Sequence, residues 1–95
     1  MTKQEVLEQI KTALGNVPSH LDKTIELYMN EAINYMLSAG VPKHLLEDKN
    51  IDPKCVGCII RGVADLWNYG NGDTKLSDYF QQRVLQLTFE VYKNE

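Results

Sequence analysis

Apolar positions recur along this chain at helical spacing, in four blocks. In the first, Val6, Leu7, Ile10 and Leu14 share one face, with Glu5, Glu8 and Lys11 outside it. Thr2 is placed to cap this helix, and Glu5 three residues later completes a capping box. Gly15 ends it, and Asn16-Val17-Pro18 makes the connection. The second block carries Leu21, Ile25, Tyr28, Met29, Ala32 and Met36 as one stripe, with Ile33 and Leu37 beside it. Asp22, Glu26, Asn30 and Asn34 mark its wet side. Ser19 is the candidate N-cap, with Asp22 at the reciprocal position. Gly40 supplies a left-handed stop and Pro42 prevents continuation. Residues 41–52 read as a loop with one helical turn around Leu45 and Leu46.

The third block predicts a helix from Pro53 to Tyr69, with Asp52 as cap and proline in the first turn. Val56, Ile60, Val63 and Trp67 make one stripe; Cys55, Ile59, Gly62 and Leu66 make the next. Only Arg61, Asp65 and Asn68 are polar along it. A helix this apolar around its circumference should be central, touching neighbours on most sides. Gly57 and Gly62 each cost roughly 1 kcal/mol relative to Ala in a helix interior. Close approach of another backbone is the expected compensation. Gly70-Asn71-Gly72 breaks the chain. Ser77 then caps a fourth helix containing Tyr79, Phe80, Val84 and Leu87. Leu85, Leu87, Phe89 and Val91 alternate with polar residues, which is a strand period. A helix to about Leu87 followed by an extended tail meets both signals, and such a tail could add to a neighbour's backbone. The predicted class is all-α: one domain over residues 1–95, a bundle of about four helices with a central apolar helix and an extended C-terminal tail.

Composition sharpens this in a few respects. The chain is 43% hydrophobic and 24% charged, ordinary for a folded domain. At 95 residues it buries only roughly 60–65% of the surface its unfolded form exposes, so partners could add to its stability. A net charge of −3 argues against the basic stripe of a nucleic-acid binder. No apolar run approaches the ~20 residues of a membrane span, and charge interrupts the N-terminal pattern as no secretory signal would. The remaining candidates for chemistry are weak. Cys55-Val56-Gly57-Cys58 is a CxxC, but His20 and His44 are isolated and there are no further cysteines to complete a zinc site. No strand precedes it, as a thioredoxin-like motif requires. Two buried thiols in a reducing compartment are the simpler reading. The second and third helices are separated by a long loop, which speaks against helix-turn-helix DNA recognition.

Interface features stand out more. Arg61 and Asp65 lie one turn apart and either pair locally or reach a neighbouring subunit. Trp67, Tyr69, Tyr79 and Phe80 gather around the glycine break, and aromatics with arginine are enriched at interface centres. Arg61, Asp65, Trp67, Tyr69, Tyr79, Phe80 and Arg83 are therefore the candidate interface residues. No cofactor is implied.

The opening LEQIKTALG at 7–15 and the segment GCIIRGVADLWNYGNGDTKLSDYFQQRVLQL at 57–87 resemble the phage head–tail connector family, the small helical adaptors or head-completion proteins of tailed phages and prophages. The second segment is most similar to members from phages of Gram-positive hosts. Together the two cover close to half the chain, and the cysteines lie outside the resemblance. It implies a structural protein without catalytic residues. Such a protein assembles as a ring of its own copies beneath the portal protein, extends the DNA channel, and offers a platform to the next head-completion or tail component. The implied location is the virion's head–tail junction, reached from the host cytoplasm. An acidic subunit suits a wall past which DNA slides, because phosphate contacts from lysine and arginine are what hold DNA non-specifically. The alternative is an intracellular regulator that binds a partner protein through the aromatic cluster at 67–80.

Overall fold

A computed structural model describes residues 1–68 and 77–94, and over these it shows four α-helices and a hairpin of two short strands, two residues each. The helices are α1 (Lys3–Ala13), α2 (Asp22–Ser38), α3 (Pro53–Asn68) and α4 (Asp78–Asn94). The expected all-α bundle is what forms. The glycine break at 70–72 lies outside the described residues.

Local chemistry sets the helix ends. The Glu5 N–H donates to Thr2 Oγ1 at 3.2 Å and the Thr2 N–H donates to Glu5 Oε1 at 3.0 Å, the reciprocal pair of a capping box. The Thr2 backbone N–H, with the Thr2 hydroxyl as a lesser donor, favours the ionised form of Glu5 and holds its carboxyl below its usual range. At the end of α2, Gly40 adopts φ +106°, which places the Val41 N–H on the Met36 carbonyl at 3.0 Å and its own N–H on the Leu37 carbonyl at 3.2 Å. That pair of hydrogen bonds is a Schellman cap, and only a residue without a Cβ takes the conformation cheaply.

The start of α2 departs from expectation. Ser19–Leu21 is a 3-10 turn set by Pro18, and the helix proper begins at Asp22 with no side-chain cap. Asp22 is turned to another task. Its Oδ1 lies 2.9 Å from Lys11 Nζ, an ion pair that ties α2 to α1. The same pairing raises the Lys11 ammonium above its ordinary value.

The segment expected as a loop holds more order than its sequence advertises. After a 3-10 turn at Lys43–Leu45, β1 (Leu46–Glu47) pairs antiparallel with β2 (Asn50–Ile51), Leu46 opposite Ile51. Both of those side chains are buried. The Met1 backbone extends the ladder: the Ile51 N–H donates to Met1 O, and the Met1 ammonium donates to Ile51 O at 2.9 Å. The Lys3 N–H, one of the unpaired donors at the start of α1, meets the Asp48 carbonyl at 2.8 Å. Asp52 then caps α3, its Oδ1 accepting from the Lys54 N–H at 2.8 Å.

Helix α3 is central, packed against α1, α2 and α4. Its Cys55, Ile59 and Val63 are buried together with Ile10, Ile25, Met29 and Met36. Gly62 sits where three elements converge. A Cβ there would lie 2.8 Å from the Phe80 ring and 2.9 Å from the Ala32 methyl. The close approach that Gly62 permits is thus by side chains of α2 and α4, not by another backbone.

The extended tail does not form: α4 continues to Asn94. Phe80, Val84, Leu87 and Val91 follow one another at spacings of four, three and four and are buried in the core. Leu85, Phe89 and Tyr92 follow the same rhythm five residues on, about 140° around the helix. Two helical stripes on well-separated faces, interleaved in sequence, counterfeit the alternation of a strand. No described helix is long and apolar enough to cross a membrane.

Candidate interaction surface

The seam between α3 and α4 gathers most of the residues singled out in the sequence, but gives them different work. Asp65 is 4% exposed and lies inside the subunit. Its Oδ1 is 3.4 Å from Arg61 Nε, one turn earlier on α3. Its Oδ2 accepts a hydrogen bond from the Ser77 hydroxyl, and Ser77 Oγ in turn accepts from the Phe80 N–H at 3.1 Å. Ser77 therefore caps α4, as expected, and at the same time joins that cap to a buried carboxylate on α3. A buried charge is tolerable only when it is paired and hydrogen-bonded. The outer side of Arg61 lies over the Tyr79 ring, 4.7 Å from its centroid. The chain Tyr79–Arg61–Asp65–Ser77 fixes where α4 begins on α3.

This corrects two interface assignments. Asp65 is occupied within the subunit, and Phe80 is 0% exposed, its ring seated over Gly62 and 5.4 Å from that of Tyr35. Neither has surface to offer a neighbour. Trp67 is half-buried and packs against the core. Arg83 is half-buried, with a guanidinium nitrogen 3.3 Å from where a Cβ on Gly57 would stand; the glycine leaves room for it. Arg61 and Tyr79 remain accessible at the seam, Tyr79 at 55%. Tyr69 lies outside the described residues.

Cys55 and Cys58 are buried on the inner side of α3. Burial, reinforced by the Asp52 charge, pushes the Cys55 thiol up to about 12, and burial likewise raises Cys58. Thiols held protonated in this way are poor nucleophiles and poor metal ligands. Among the described residues no group of three or more His, Cys, Asp and Glu could hold a metal ion. His20 and His44 are exposed. The Cys55 shift has a measurable consequence. The unfolded chain begins to ionise this thiol near pH 9.0, while the folded chain resists until about 12. Its contribution is complete below pH 9 and is lost as pH rises through that window, by up to about 1.4 kcal/mol per unit. Urea midpoints at pH 7 and pH 10 should fall further apart for the native sequence than for Cys55→Ala. Equal separations would contradict the assignment.

No family model, curated protein or solved structure matches this chain.

The surface that sequence reasoning missed is the outer stripe of α4. Leu85 is 57% exposed, Phe89 69% and Tyr92 57%. Scattered exposed leucines are common on any protein; two aromatics and a leucine aligned on one helix face are not. Beside them lies an open groove of about 380 Å³ between α2 and α4, lined by Tyr35, Ala39, Asp78, Gln81, Gln82 and Leu85. The Tyr92 hydroxyl donates to the Gly40 carbonyl at 3.0 Å, which holds the lower end of the stripe against the end of α2. The signal was present in the sequence at 80–92, as two sets of apolar positions each at helical spacing.

Proposed function

We propose that this chain is a structural adaptor of a tailed phage or prophage. It assembles as a ring below the portal, extends the DNA channel and joins the head to the next head-completion or tail component. The observation that carries this reading is the outward stripe of Leu85, Phe89 and Tyr92, a ready-made protein-binding face on a helix whose other side already builds the core. The resemblance at 7–15 and 57–87 supplies the particular assembly. The net charge of −3 suits repeated copies around a DNA passage. The role asks for shape and contact, with no bond made or broken. The regulator reading loses support, because Phe80 and part of Trp67 from its aromatic cluster are spent inside the subunit.

Electron microscopy of particles from producing cells, with this protein labelled, tests the proposal. The label should mark the single vertex where head meets tail. Phe89→Ser should fold normally and yet be incorporated poorly. Purified infectious particles that lack the protein would refute the assignment.

A further inference from the structure

Helix α4 is self-complementary, and we infer that the free chain pairs with a second copy of itself through α4, antiparallel, about a two-fold axis between residues 85 and 86. Charge placement carries the inference. Asp78 lies seven residues before Leu85, and Lys93 lies seven residues after Gln86. Both are exposed, in the first and last turns of the helix. A two-fold axis at the midpoint sets Asp78 of each copy opposite Lys93 of the other, twice in one interface. Between these ends the outward positions Gln82, Leu85, Gln86 and Phe89 carry no charge to oppose the approach. Antiparallel alignment also sets the two helix dipoles head to tail.

The apolar contacts follow from the same register. Phe89 of one copy falls opposite Gln82 and beside Leu85 of the other, at the groove that Tyr35 and Ala39 complete. The ring enters a groove on each side of the axis, so the contact is isologous and closes at two copies. The area sets the strength. With aromatic side chains offering about 150–250 Å² each, Leu85, Phe89 and Tyr92 leave roughly 350 Å² uncovered per copy. Adding the flanking glutamines and the end charges brings the total to about 1,000 Å², the low end for a specific interface. Such a pair should dissociate in the micromolar range, on the order of 10–100 µM. The pair is a property of the free chain and stands whether or not the chain serves a virion. Assembly into a ring would use the same stripe, once the pair has opened.

Sedimentation equilibrium of the full chain from 1 µM to 1 mM reads the result. A monomer–dimer equilibrium is expected, weakened at least tenfold by Phe89→Ser, whose site is exposed and whose melting temperature should stay near that of the native sequence. Asp78→Lys and Lys93→Asp each place like charges at both ends of the pair and should weaken self-association. Mixed together they restore opposite charges at both ends, so the mixture should dimerise where neither variant does alone. A chain monomeric to 1 mM, a dimer indifferent to Phe89→Ser, a larger species, or a mixture that fails to pair each overturns the inference.

Discussion

Phe80→Ala lowers the unfolding free energy of the single chain by about 3–5 kcal/mol. The ring is fully buried, and it fills the space that Gly62 leaves open between α2 and α3. Its removal therefore strips contact from Tyr35, Ala32 and α3 together, and the glycine has no side chain to collapse into the void. A domain of this size has some 5–15 kcal/mol in total, so the variant should be partly unfolded at 37 °C. Urea denaturation well below 1 µM, where the chain is almost entirely monomeric, measures the loss directly. A change below about 1 kcal/mol would put the ring outside the core. The neighbouring Tyr79→Ala serves as the contrast. It gives up an exposed stacking contact with Arg61, worth about 0.5–1 kcal/mol. The sequence places Tyr79 and Phe80 together among the candidate interface residues, and this comparison separates them, one residue acting on folding and the other on the surface.

What could be read in the sequence was what short-range chemistry determines. The Thr2–Glu5 capping box, the Gly40 stop, the Asp52-Pro53 start and the Ser77 cap each involve residues within a few positions of one another, and each forms. The central place of α3 was legible because its apolar residues run round most of its circumference. The errors share the opposite property. The β1–β2 hairpin depends on Met1 pairing with Ile51, fifty residues away, and a two-residue strand has no periodicity to show. Ser19 does not cap α2 because Pro18 leads into a 3-10 turn that delays the helix to Asp22, whose carboxylate pairs with Lys11 on another helix. The end of α4 reads as an extended tail because a helix apolar on two faces and a strand apolar on one share the same local alternation. The candidate surface inherited that error. A helix ending near Leu87 with an extended tail beyond it puts Leu85 and Phe89 on different elements, so no helical face joins them, and the aromatics at 67–80, partly used by the core, stand out instead.

Gly62→Ala is expected to destabilise the chain by about 1–3 kcal/mol, although alanine is the better helix former. Two effects oppose each other. Replacing glycine in a helix interior gains about 1 kcal/mol from the restricted unfolded chain. Against this, the new methyl would stand 2.8 Å from the Phe80 ring and 2.9 Å from the Ala32 Cβ, both closer than carbon atoms tolerate. Neither neighbour retreats easily. Ala32 Cβ is fixed to the α2 backbone, and the Phe80 ring is enclosed on all sides. The steric term therefore wins, and α4 has to shift outward from α3, loosening the Asp65–Ser77 bond as it goes. The diagnosis can be separated from ordinary loss of stability by a double-mutant cycle. Phe80→Leu alone costs stability by leaving space. In the Gly62→Ala background the smaller side chain makes room for the new methyl, so the two changes together should cost less than their sum by at least 1 kcal/mol. Strict additivity would mean that the glycine is there for some reason other than the ring.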